Sequence, residues 1–179
     1  MRKLIGSAVL VTVLAAAPTL ASAQRRPAAR PAAARAQRPS FGAQLDWGGD
    51  TDFGIGGRVV VGLRALFPKT PLDGIASFDY FFPSHPSGTT AHYWEINGNV
   101  VYRIPHVRSR TFAPYVGGGL NIAHASASAG TLSASATKAG LNLLGGTTFK
   151  VKGEITPFAE LRGIVGGGKQ VVITGGIRF

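Results

Sequence analysis

From Ser40 to the last residue, apolar and polar side chains alternate with a period of two in eight successive segments. Successive side chains leave a strand on opposite sides, so this pattern predicts strands with one apolar and one polar face. Phe41, Ala43, Leu45 and Trp47 alternate with Gly42, Gln44 and Asp46. Phe53, Ile55, Val59, Val61, Leu63 and Ala65 alternate with Gly54, Gly56, Arg58 and Arg64. Ala76, Phe78, Tyr80 and Phe82 alternate with Ser77, Asp79 and Phe81, and Trp94, Ile96, Val100 and Tyr102 with Glu95, Asn97, Asn99 and Arg103. Phe112, Pro114, Val116, Leu120 and Ile122 oppose Tyr115 and Asn121. Leu141, Leu143, Thr147, Phe149 and Val151 oppose Asn142, Thr148 and Lys150. Pro157, Ala159 and Leu161 oppose Phe158, Glu160 and Arg162, and Val171, Ile173, Ile177 and Phe179 oppose Gln170, Thr174 and Arg178. Turn-type connections are expected at 48–51, 67–74, 83–90, 105–110, 124–137, 152–153 and 165–169. An even number of strands joined in order predicts an all-β, closed, eight-stranded antiparallel up-and-down barrel over residues 40–179. The strands are long enough to span an outer membrane at the usual tilt of ~45°.

Alternation alone does not say which face is outside. A soluble lipocalin-like barrel turns its apolar set inward around a ligand, whereas a membrane barrel turns it toward lipid. No Asp, Glu, Lys or Arg falls on the apolar face in this register. Charged residues make up only 15% of the chain, against about 25% in ordinary soluble domains. The polar face carries Asp46, Arg58, Arg64, Asp79, Glu95, Arg103, Lys138, Lys150, Glu160, Arg162 and Arg178. Ionised groups confined in an eight-stranded lumen persist only when paired, so these are expected to form a structural charge network inside the barrel. With the N-terminus periplasmic, Trp47, Phe53, Tyr80, Phe82 and Trp94 gather at the outer rim. Phe41, Tyr102, Phe112, Phe149 and Phe179 then gather at the periplasmic rim. Two aromatic girdles on the apolar face are expected of a transmembrane barrel.

The chain ends in Val-Val-Ile-Thr-Gly-Gly-Ile-Arg-Phe, an amphipathic strand closing on Phe179. This resembles the C-terminal strand of bacterial outer-membrane proteins. Pro114-Tyr115-Val116-Gly117-Gly118-Gly119-Leu120-Asn121, Gly140-Leu141-Asn142-Leu143 and Pro157-Phe158-Ala159-Glu160-Leu161-Arg162 resemble the same group. Together they resemble the small OmpA/OmpX-type outer-membrane β-barrel domain family over about residues 40–179. The resemblance implies a bacterial outer-membrane location, with outer-membrane lipid and lipopolysaccharide as surroundings. It also implies Phe179 as a signal for the barrel-assembly machinery. It implies little about a particular activity, and the peptidoglycan-anchoring domain of OmpA proper does not carry over.

The first 40 residues read differently. Arg2 and Lys3 precede an apolar run from Leu4 to Ala17, then Pro18 and the small-residue site Ala21-Ser22-Ala23, the pattern of a Sec-type signal peptide over residues 1–23. The run is shorter than the ~18 apolar residues that a helical anchor needs. Residues 24–39, QRRPAARPAAARAQRP, have no core-forming side chain and are expected to be a flexible periplasmic spacer. Their five arginines allow a contact with anionic polymer or lipid. The formal charge of +11 is therefore uneven: seven basic residues and no acid lie before position 41, and the remainder carries 12 basic and 8 acidic residues. A basic tail without any nucleic-acid motif gives no reason to expect a nucleic-acid partner.

Catalytic and metal chemistry find little support. The chain has no Cys, which excludes disulfides, thiolate nucleophiles and Cys-ligated zinc. His124-Ala125-Ser126 resembles the His-x-Ser element of outer-membrane lipid A deacylases, yet the next carboxylate in sequence, Glu154, is a full strand away. His85, His92 and His106 lack chelating spacing. The runs Gly117–Gly119 and Gly166–Gly168 lack the helix and Lys-Ser/Thr pair of a phosphate loop. The expectation is a non-enzymatic barrel without cofactor or metal. Its role is structural or one of surface interaction through 83–90 and 124–137, with small-solute passage and then lipid-active enzymology as alternatives.

Overall fold

A computed structural model describes residues 38–179 apart from 106, 108, 110, 167 and 168. The expected signal peptide, the expected spacer up to residue 37, His106 and two glycines of the second Gly run lie outside the described residues. Eight strands follow in order: β1 (Ser40–Gly48), β2 (Asp52–Gly62), β3 (Leu72–Phe81), β4 (Thr89–Arg103), β5 (Phe112–Ala129), β6 (Leu132–Phe149), β7 (Thr156–Gly166) and β8 (Gln170–Arg178). Each pairs antiparallel with the next, and β8 returns to β1 with Gly42 opposite Arg178 and Gly48 opposite Val172. Phe179 extends that seam by exchanging backbone hydrogen bonds with Phe41, at 2.9 and 3.1 Å. Closure removes the unpaired edges that an open sheet would present. Nine residues, the shortest strand length, rise roughly 23 Å at ~3.3 Å per residue and ~40° tilt, close to the apolar band of a membrane barrel.

The apolar set faces outward. Phe41, Leu45, Trp47, Ile55, Leu120, Leu141, Leu143, Leu161 and Ile173 are all exposed, while Gln44, Asp46, Arg58, Asp79, Glu95, Glu160 and Arg162 are buried. The lumen is nevertheless not wholly polar. Val60, Ile75, Val101, Tyr115 and Leu144 cluster toward the end that carries Ser40 and Arg178, here the terminal end. Phe81, Ile164 and Val172, with Tyr93 packed on them, cluster toward the far end. Inward glycines make room for the largest of these side chains. A Cβ at Gly146 would lie 2.6 Å from the Tyr115 ring and hydroxyl, and one at Gly176 2.6 Å from Phe158.

Several boundaries differ from the sequence reading. β2 ends at Gly62, and the chain curls there: the amides of Leu66 and Phe67 donate to the carbonyl of Leu63. Arg64 is thereby carried off the barrel and is exposed, not inside it. β6 ends at Phe149, and Lys150 is also exposed, its Nζ donating to the carbonyl of Ser109 at 2.8 Å. Lys138 lies on the inward phase of β6 but above the barrel wall, where it is exposed. β3 starts at Leu72, so Asp73 belongs to the strand and is buried. The largest departure is at 124–137, which is strand rather than loop. β5 and β6 remain paired up to Ala129 opposite Leu132, joined by Gly130 and Thr131. Gly130 takes φ +59, a conformation that glycine adopts at least cost and that suits a two-residue hairpin turn.

Candidate functional site in the barrel lumen

Inward positions of all eight strands converge on one hydrogen-bonded network. Its axis is Arg162 on β7, whose Nη2 donates to Asp79 on β3 (3.0 Å) and Glu95 on β4 (3.2 Å). Asp79 also accepts from Gln44 Nε2 (2.7 Å), Asn97 Nδ2 (2.8 Å) and Ser77 Oγ (3.1 Å). Glu95 accepts from the Tyr93 hydroxyl (2.8 Å) and Gln170 Nε2 (2.5 Å). A second centre lies nearer the terminal end. Arg58 on β2 forms a two-pronged contact with Glu160 (3.2 and 3.3 Å), donates to Gln44 Oε1, and lies 4.0 Å over the Phe158 ring. The Tyr115 hydroxyl completes Glu160 at 2.8 Å. Asn97, Asn99, Asn121 and Asn142 extend the network across β4, β5 and β6.

Two guanidiniums thus pair with three buried carboxylates, Glu160, Asp79 and Glu95, and neutral donors supply the contacts of the fourth, Asp46. Asp46 accepts from Gln44 Nε2 and from the Thr174 hydroxyl and forms no ion pair among the described residues. Pairing of the carboxylates is what permits charge in a low-dielectric interior, although Arg162 Nε and Asn142 Oδ1 are buried without a partner among the described residues. Arg162, Asp79, Glu95 and Asn97 expose 1% of their surface or less. They separate a cavity of about 90 Å³ at the terminal end from an open cup of about 400 Å³ at the far end, lined by Tyr93, Ala125, Ala127, Ala134 and Ala136.

Of the charged residues expected inside, Asp46, Arg58, Asp79, Glu95, Glu160 and Arg162 meet in the network. Arg103 and Arg178 stand apart at the terminal end, where Arg103 contacts Asp73. Arg64 and Lys150 lie outside the lumen. The amides Gln44, Asn97, Asn121, Asn142 and Gln170 are not singled out by the sequence, although they share the phase of the charges. The ten aromatic residues expected at the rims take the outward phase in two rows, while Phe81, Tyr93, Tyr115 and Phe158 point inward. Phe41, Tyr102, Phe112, Phe149 and Phe179 lie toward the terminal end, with Phe112 opposite Phe149. Trp47 pairs with Phe53 and Tyr80 with Trp94 toward the far end, where Phe82 packs on both Phe53 and Tyr80.

The His-x-Ser element faces outward. His124 Nδ1 lies 2.8 Å from the Thr137 hydroxyl, and the ring stacks on Trp94 with centroids 5.2 Å apart. Glu154 is in the connection between β6 and β7, at the opposite end of the barrel. Among the described residues no group of three potential metal ligands comes together.

No family model matches the sequence, and no curated protein matches it. Solved structures share its architecture. The N-terminal β-barrel domain of Pseudomonas aeruginosa OprF superposes with a TM-score of 0.56 at 15% identity, covering 78% of this chain and 97% of that one. Neisserial surface protein A gives 0.54 at 19% identity, covering 78% and 94%. A major outer membrane protein from Thermus thermophilus gives 0.51 at 13% identity, covering 79% and 98%. The chain has the fold of the small eight-stranded outer-membrane β-barrels of the OmpA/OmpX type.

Proposed function

We propose that the protein is a non-enzymatic integral protein of a bacterial outer membrane, with a structural or surface-interaction role. The observation that carries this reading is the inside-out distribution of side chains: an exposed apolar band around a buried, ion-paired plug. Exposing so much apolar surface is unfavourable in water and favourable against hydrocarbon. In this reading the barrel end that carries Ser40 and Arg178 faces the periplasm, as expected when an export signal and spacer precede an even number of strands. Outer-membrane lipid and lipopolysaccharide then surround the two aromatic rows, and Phe179 at the closing seam serves recognition by the barrel-assembly machinery. The basic arm has anionic periplasmic polymer within its reach.

On the outer side, the surface element is the extension of β4, β5 and β6. It carries Thr89 to Tyr93 beside Ala125 to Ala129 and Leu132 to Ala136. Solute passage is disfavoured by the fully buried layer around Arg162. The test is reconstitution in planar bilayers alongside a heat-modifiability gel of membrane fractions. The protein is expected in the detergent-extracted membrane fraction, migrating faster unboiled than boiled, with no single-channel steps. Recovery in the soluble fraction overturns the location, and regular conductance steps overturn the closed plug.

A further inference from the structure

One lumenal guanidinium takes no part in the pairing. Arg178 lines the cavity of about 90 Å³ at the terminal end, together with Arg58, Arg103, Asp73, Tyr115 and Thr148. Arg58 is held by Glu160 and Arg103 by Asp73. Arg178 forms no ion pair among the described residues, and its Nε is buried without a hydrogen-bond partner. Three guanidiniums therefore line one cavity with a single lining carboxylate, Asp73, while Glu160 holds Arg58 from outside it. Val60, Ile75 and Val101 supply apolar lining and no acceptor. The surrounding rim is basic as well, with Arg64, Lys69, Lys150 and Lys152 exposed against Glu154.

A water molecule satisfies an orphaned N–H but brings no charge. An oxyanion brings both, because a guanidinium offers Nε and one Nη in a planar fork that matches two oxygens of a carboxylate or phosphate. We propose that this cavity binds a small oxyanion of the phosphate or carboxylate type, with Arg178 as the principal ligand and the half-exposed Arg103 as the second. The site belongs to the lumen and not to the lipid face, so the ligand is a free solute.

The test uses the full chain folded in detergent micelles, with the Arg178 Nε–Hε resonance followed during titration with sodium phosphate and, separately, sodium acetate at constant ionic strength. A saturable shift in either titration is expected, and the stronger of the two names the class. Calorimetry should show the apparent Kd rising about tenfold or more in Arg178→Gln, the loss of one charge-assisted contact. Arg178→Lys should fall between, and Arg64→Gln, at the same end but outside the cavity, should match the parent. If Arg178→Gln fails to fold, the parent titration and Arg178→Lys decide. A non-saturating drift of the Hε signal in both titrations overturns the proposal. So does a loss in Arg64→Gln equal to that in the Arg178 variants.

Discussion

Asp46 and Arg162 share one plug, yet removing their charges should have opposite consequences. Asp46 is held by an amide and a hydroxyl, so Asp46→Asn strands no cation and keeps a similar shape. Arg162 is the shared partner of Asp79 and Glu95, and Arg162→Met leaves two buried carboxylates without a counter-charge. Breaking a buried pair from one side costs about 3–5 kcal/mol. Urea unfolding of the barrel in lipid vesicles is expected to show that loss for Arg162→Met and a neutral or small stabilising change for Asp46→Asn. Equal losses in both variants contradict the division of roles. These positions were legible from the phase of the alternation. Arg64 and Lys150 were not, because phase says which side a residue takes only while the strand continues. The curl at Leu63 and the strand end at Phe149 are set by backbone bonds to neighbouring segments.

The hairpin of β5 and β6 shows the same limit for a longer stretch. Its inward phase carries Ala125, Ala127, Ala129, Ala134 and Ala136, and its outward phase Ser126, Ser128, Ser133, Ser135 and Thr137. Alanine and serine differ too little in hydrophobicity to announce a strand, and their abundance with Gly130 reads as a loop. Register alone sustains the pairing. Above the pair Gly140–Gly166, β6 has no partner in β7, and residues 127–139 are all exposed. Little burial implies little stability. Replacing 125–136 by an Asn-Gly turn, which preserves the pair His124–Thr137, is expected to change unfolding free energy by less than about 1 kcal/mol. Heat-modifiability should persist. A variant that no longer folds shows instead that the projection nucleates the barrel.

For the barrel as a whole, strand number, order and the outward turn of the apolar set follow from the sequence pattern. The apolar layers of the lumen do not. Val60, Ile75, Val101, Leu144 and Ile164 are indistinguishable by residue type from lipid-facing neighbours, and only their phase places them inside. The same orientation makes an exposed position behave unlike a soluble surface. Leu143 is 67% exposed and flanked by Gly118 and Gly163 on adjacent strands. Leu143→Arg is expected to cost about 2–4 kcal/mol in lipid if the site lies near the bilayer midplane. On a water-exposed surface the same change falls within about 0.5 kcal/mol. Because the chain has no cysteine, single labels can be introduced without background. Spin labels at Leu45→Cys, Leu143→Cys and Ile173→Cys in vesicles, read by power saturation, should relax with dissolved oxygen and resist a water-soluble nickel chelate. Preferential relaxation by the chelate at all three positions would mean that the apolar band faces water, and the membrane-barrel account would fail.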